Sequence, residues 1–294
     1  MKKILKLVYV CAVLFFLASC DDENEIIPTT GNLTIDLTGL EELGTDYVYE
    51  GWLIVNGTPV STGTFTSIVF PQTFTVGIDN LNTATQFVLS IEPEGETGTA
   101  AATPAATKLL AGDFSGNSAN VTSTGIVGDF SNSWGKYILA TPTDDDNSNE
   151  ESGIWFLDNS SGNAEVGLSL PTLTDGWKYE GWVVLNGTPV STGTFLDPAS
   201  ADDNAATSPY KGSLNNGPAF PGEDYVMGSA AGVDFPTDLK DATIVISVEP
   251  YPDNSAAPFT LKPLANVVPA SAMNHSVLSL EAGPISVLTG TVSR

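Results

Sequence analysis

The stretch "YEGWLIVNGTPVSTGTF", residues 49–65, returns as "YEGWVVLNGTPVSTGTF", residues 179–195, with three apolar-for-apolar changes in seventeen positions. Within residues 47–55 alternate positions define two faces. One carries Val48, Glu50, Trp52 and Ile54; the other carries Tyr47, Tyr49, Gly51, Leu53 and Val55. Large apolar groups on both faces mark a central strand. Asn56-Gly57 is the preferred pair for a two-residue type I′ turn, in which both residues need positive φ. Pro59 opens the return strand, where a missing N–H is tolerated, and Gly63 marks a bulge or a close backbone approach. The second copy repeats these devices at Asn186, Gly187, Pro189 and Gly193. The repeat is therefore a β-hairpin built twice, framed by Tyr49, Trp52 and Phe65 in one copy and by Tyr179, Trp182 and Phe195 in the other.

Outward from the hairpins the same grammar continues. Runs such as "NLTIDL", "TFTVGI", "KYILATP", "GIWFL" and "VLSLEAGPISVLTGTV" alternate apolar with polar or small residues between Gly, Pro, Asn and Asp clusters. That is the pattern of half-buried antiparallel strands at sandwich spacing. Each hairpin is followed by a strand that stops at proline: Ser90-Ile91-Glu92-Pro93 in the first copy and Ser247-Val248-Glu249-Pro250 in the second. The expected fold is all-β, with two tandem antiparallel β-sandwich domains, at residues 32–130 and 131–294. The copies differ in their loops. Residues 197–225 extend the second copy with a loop-like insertion, and residues 144–152 form an acidic loop between two strands. Long loops in compact domains carry function or motion.

The start of the chain gives an address. Lys2, Lys3 and Lys6 precede an apolar run too short for a bilayer span of about 20 residues. Leu17-Ala18-Ser19-Cys20 resembles a bacterial lipobox, which assigns residues 1–19 to a lipoprotein signal peptide and Cys20 to lipidation, palmitate included. Residues 20–31 then form an acidic tether. Its "DDENE" resembles the surface-export signal of Bacteroidetes-type lipoproteins. The expected location is the outer membrane with the protein exposed on the cell surface; facing the periplasm is the alternative. Cys11 lies within the signal segment, so removing that segment leaves no pair for a disulfide. The formal net charge of −25, from 35 acidic against 10 basic residues, argues against nucleic acid and anionic head groups as partners. The lipid is then the only link to the membrane.

The hairpin and the "VLSIEP" strand together resemble the extracytoplasmic C-terminal domain of anti-sigma-K factors. That family shows a tyrosine-tryptophan strand, a Gly-Pro hairpin leading to G-x-F, and then a V-x-x-E-P strand. The matching positions are Tyr49, Trp52, Gly57, Pro59, Val60, Gly63, Phe65, Glu92 and Pro93, and in the second copy Tyr179, Trp182, Gly187, Pro189, Val190, Gly193, Phe195, Glu249 and Pro250. The resemblance implies a β-sandwich. It does not imply sigma-factor binding, which in that family belongs to a cytoplasmic segment joined through a transmembrane helix.

Catalytic chemistry finds little footing. One histidine, His275, stands without a G-x-S-x-G elbow. Glu50, Glu92, Glu180 and Glu249 could serve as paired carboxylates, yet their duplication reads as a structural device that bonds neighbouring turn amides. No cofactor is expected beyond weak Ca²⁺ binding at Asp144 and Asp146, whose loop lacks the glycine and glutamate of a full calcium loop. Trp134 and Trp177 lie in turn-like stretches where exposed rings could stack on sugars. The expectation is a non-enzymatic envelope protein that binds or senses a partner, protein or glycan. The alternative is a surface glycan-binding lipoprotein of a nutrient-uptake system.

Overall fold

The computed structural model describes residues 28–252 and 255–294. The signal segment, Cys20 and most of the acidic tether lie outside the described residues. Among those described, no helix is long and apolar enough to cross a membrane.

The first sheet is built from β1 (Thr30–Thr38), β2 (Tyr47–Val55), β3 (Thr58–Phe65), β4 (Gln72–Gly77), β5 (Ala84–Pro93), β6 (Lys108–Ser115) and β7 (Ser118–Thr122), with one short helix, α1 (Ile78–Thr83), between β4 and β5. The second uses β8 (Trp134–Leu139), β9 (Gly153–Trp155), β12 (Leu168–Ser169), β13 (Trp177–Leu185), β14 (Thr188–Phe195), β15 (Gly222–Asp224), β18 (Thr243–Pro250), β19 (Lys262–Val267) and β20 (Leu278–Ile285). Two small ladders, β10 (Leu157–Asp158) with β11 (Glu165–Val166) and β16 (Ser229–Ala230) with β17 (Val233–Asp234), decorate it. A last strand, β21 (Thr289–Ser293), follows. All pairings are antiparallel. The end strands of each sheet, β3 with β4 and β14 with β15, approach one another, so each sheet curls into a nearly closed, barrel-like sandwich.

The hairpins form as their sequence requires. Asn56 and Gly57 have φ of 51° and 79°, and Asn186 and Gly187 have 51° and 78°, the two positive values of a type I′ turn. In both copies the register slips after the glycine pair: Gly51 faces Gly63 but Trp52 faces Ser61, and Gly181 faces Gly193 but Trp182 faces Ser191. One residue is thus bulged out beside Gly63 and Gly193, whose φ values of 109° and 122° only glycine adopts easily. Both strands of the "YEGW" motif are central, flanked by β3 and β5 or by β14 and β18.

The order of strands holds a feature that the repeat alone does not announce. The first sheet runs β3-β2-β5-β6-β7-β21-β1-β4. The chain builds this sheet through β7, leaves to build the second from β8 to β20, and returns with β21 between β7 and β1. In the second sheet the place beside β20 is taken by β8. The run "VLSLEAGPISVLTGTV" is thus two strands in two sheets, and the stretch expected as repeat two, 131–294, supplies a strand to the first sheet. Val292 is fully buried and Leu288 nearly so, which gives this return its apolar drive. Buried side chains of both sheets join in one contiguous core.

Candidate binding cleft between the repeats

Each copy carries the same buried polar relay. The Trp52 Nε1–H donates to Ser90 Oγ at 2.9 Å, and Ser90 donates to Glu92, whose Oε1 also accepts the Ala105 N–H at 2.8 Å. In the second copy Trp182 donates to Ser247 at 2.7 Å, Ser247 donates to Glu249, and Glu249 accepts the Phe259 N–H at 2.9 and 3.1 Å. Ser61 donates to Glu50 and Ser191 to Glu180 across each hairpin. The register explains the assembly: Glu50 pairs with Ser90 and Glu180 with Ser247, which sets all these side chains on one face of their sheets. Burial pushes the Glu50 and Glu92 carboxyls up, opposed by their serine hydrogen bonds. Glu92 and Glu249 thus bond loop amides, which ties the loop after each Glu-Pro strand to its sheet, whereas Glu50 and Glu180 accept from serine hydroxyls across the hairpins.

Those two strand ends meet. A cavity of about 470 Å³ opens between the repeats, with Ile91 and Pro93 on one side and Glu249, Pro250 and Phe259 on the other. The loop after β1 forms its mouth with Glu41, Glu42 and Asp46. Hydrogen bonds between the repeats hold its frame: the Tyr47 hydroxyl donates to Pro252 O at 3.3 Å, Thr260 Oγ1 to Gly39 O at 2.7 Å, and Trp177 Nε1 to Lys108 O at 3.3 Å. Tyr49 and Tyr179 anchor the loops ahead of their strands, their hydroxyls donating to Glu41 O at 2.8 Å and Pro171 O at 2.6 Å. Burial holds both phenols protonated by raising them far above the usual tyrosine range.

The other candidates are placed as follows. Trp52 and Trp182 are buried, with Trp52 in a small cluster with Val88 and Ala111 rather than in the main core. Trp177 is not a surface platform. It is 2% exposed and packs against Phe259 with ring centroids 5.8 Å apart, because its turn is pressed between the repeats. Trp134 is 49% exposed, with Lys136 5.9 Å from its ring centre. The Asp144 and Asp146 carboxylates cap their own loop: Asp144 accepts from the Asp146 N–H and the Asn149 amide, and Asp146 from Ser148. Among the described residues no group of three or more His, Cys, Asp or Glu is arranged to hold a metal ion. His275 Nε2 lies 3.2 Å from Glu150 Oε2.

Residues 197–225 are less free than their composition suggests. Asp202 accepts the Gly222 N–H at 3.0 Å, and Asp224 accepts from the Thr143 N–H at 2.8 Å and from Trp155 Nε1 at 2.7 Å. Glu223, held by Ser208 and the Asp224 N–H, is pushed up to about 8, first by burial and then by the charges of Asp202 and Asp224. Burial likewise raises Asp202 and Asp224 to about 6 each.

Ser61, Ser90, Ser191 and Ser247, and the cleft itself, escaped sequence reasoning. The serines had a readable signal, since both copies share Ser-x-Glu-Pro at Ser90 and Ser247 and PVSTGTF at Ser61 and Ser191. The cleft had none, because it depends on how two repeats face each other.

Residues 26–108 match the model of one family, described as Anti-sigma-K factor rskA, C-terminal. The matched segment spans β1 to the start of β6, including the first hairpin and the first Glu-Pro strand. No curated protein and no solved structure matches the chain.

Proposed function

We propose that this chain is a non-catalytic, lipid-tethered module of the bacterial cell envelope that binds or senses a partner through its duplicated sandwiches and does not bind a sigma factor. The match of residues 26–108 to a family whose C-terminal domain is extracytoplasmic carries this reading. The lipobox at Cys20 supports the tether, and the acidic surface supports a partner other than nucleic acid. The relay glutamates support a non-catalytic role, since Glu92 and Glu249 are committed to loop amides.

Two measurements on cells test it. Labelled palmitate should enter the wild-type chain and not Cys20→Ala. A protease site placed in the exposed turn at Gly162 should be cut on intact cells if the module faces outward, and only after outer-membrane opening if it faces the periplasm. A chain that takes no lipid and stays in the cytoplasm would sink the proposal.

The glycan-binding alternative keeps one specific support, the half-exposed Trp134 ring. Quenching of tryptophan fluorescence by a polysaccharide, lost in Trp134→Ala, would favour it.

A further inference from the structure

We propose that the cleft between the repeats binds an organic ammonium group carried on an apolar stem. This deepens the reading of a binding module, naming what the module would hold.

The charge of the lining points one way. Four carboxylates, Glu41, Glu42, Asp46 and Glu249, line the cavity, and among the described residues that line it none is Lys, Arg or His. Glu249 is 1% exposed and fixed by the Phe259 N–H and Ser247, so its position does not depend on a ligand. An anion entering here would meet the Glu41, Glu42 and Asp46 carboxylates, with Glu249 buried behind them, within a chain of net charge −25. With low-dielectric walls around it, such a cleft focuses a negative potential on a cation.

The walls decide which cation. Leu43, Pro93 and Pro250 offer apolar surface beside the acidic loop, with Ile91 and Phe259 buried behind them, and apolar walls cannot replace the hydration shell of a bare divalent ion. They can accept methylenes, each transferred from water at about 0.8 kcal/mol. Tyr47 and Tyr251 add aromatic faces at the rim, where an ammonium is attracted by the ring. One face of Tyr251 is taken by the Lys178 ammonium, 4.1 Å from the ring centre, whose charge is itself paired with Asp203 at 2.6 Å. The cavity, about 470 Å³, is within the range that holds a small ligand or one long side chain.

An alkylammonium ligand and a partner's lysine side chain present the same chemistry. Titration of the full-length chain with hexylammonium, hexanoate, hexanol and a capped Leu-Lys-Leu peptide separates them, read from the amide shifts of Ala106 and Thr107, which line the cleft. Hexylammonium or the peptide should saturate these shifts, with hexanoate and hexanol weaker by at least about tenfold. Tighter binding of the peptide assigns the site to a protein chain, and tighter binding of hexylammonium to a free amine. Glu42→Gln and Asp46→Asn, at exposed positions where folding is not at stake, should each weaken binding severalfold, and added salt should weaken it further. Equal binding of hexanoate or hexanol, or no saturation by either cation at ~10 mM, would overturn the assignment. The titration needs neither lipid nor envelope, so its failure leaves the tether reading untouched, and failed lipidation leaves the titration valid.

Discussion

Trp52 and Ser90 are joined by a buried hydrogen bond of 2.9 Å, from the indole Nε1–H to the serine Oγ, and Trp182 and Ser247 repeat it at 2.7 Å. Each serine stands between an indole that needs an acceptor and a carboxylate that needs a donor. Ser90→Ala strands the Trp52 indole and leaves Glu92 Oε1 with the Ala105 N–H alone, because neither side chain can turn to water from inside the sheet. We expect a loss of about 1–3 kcal/mol in urea unfolding, the penalty of leaving buried polar groups unpaired. Ser247→Ala should lose a similar amount. The exposed Ser213→Ala serves as control, expected within about 0.5 kcal/mol of wild type. A Ser90→Ala chain as stable as the control would show that the relay contributes nothing.

Stability should fall as pH rises. Glu223 titrates at about 8 in the folded chain, and Asp202 and Asp224 at about 6, all above the values near 4 that unfolded carboxyls show. Between these limits the folded chain keeps protons that the unfolded chain has lost. The contribution is therefore full below the unfolded pKa values and is lost as pH rises through the folded ones. Thermal unfolding followed from about pH 5 to about pH 9 should show a declining midpoint. Glu223→Gln should flatten the upper part of that decline. A midpoint that climbs across the range would contradict the burial argument.

How far the residues themselves disclose this structure depends on how local each feature is. The hairpins were readable because Asn56-Gly57 and Asn186-Gly187 satisfy a turn by their own φ values, with no help from distant groups. The bulges were readable for the same reason at Gly63 and Gly193. The position of β21 was not. Nothing local separates Ser286 and Val287 from the strands on either side, and pairing with β7 and β1 is decided by which sheet edge stands open. Trp177 misled for a related reason: a turn-like context forecasts exposure, yet a second repeat covers that turn. The acids at 202, 223 and 224 lie in a stretch that reads as a loop, and their burial is not legible because sequence shows composition while burial is set by packing.

Gly176 and Trp177 should prove to be the joint between the repeats. Gly176 has φ of 91°, and a Cβ there would sit 2.6 Å from Ala106 C and 2.7 Å from Thr107 N. Those are backbone atoms of the other repeat and cannot rotate aside. Gly176→Ala therefore combines an unfavourable conformation with a forced separation, and Trp177→Ala removes a ring packed on Phe259. We expect Trp177→Ala to lose about 3–5 kcal/mol, as large aromatic truncations in cores do. Amide shifts in both mutants should move at residues 105–108, across the joint. Wild-type stability in Trp177→Ala would mean that the ring does not cement the repeats.

Removing the last strand should open the first sandwich before the second. β21 lies between β1 and β7, and Arg294 beyond it donates to Leu81 O, to Ala84 O at 2.8 Å and to Gly116 O at 3.0 Å, with its guanidinium 4.3 Å from the Phe114 ring centre. Deleting residues 289–294 leaves the N–H and C=O groups of two strands unpaired and exposes the buried surface that Val292 covered. The second sheet loses no partner, because β8 fills the corresponding place beside β20. Hydrogen exchange should show protection lost in β1 and β7 and largely kept in β18 and β19. The milder Val292→Ala should cost about 2 kcal/mol, from the methyl groups removed and the cavity left behind. Arg294→Ala should loosen the same edge, read as faster exchange at Ser118 and Ala119. Exchange that quickens equally in both sheets would mean that the two repeats unfold as one unit and that β21 does not belong energetically to the first.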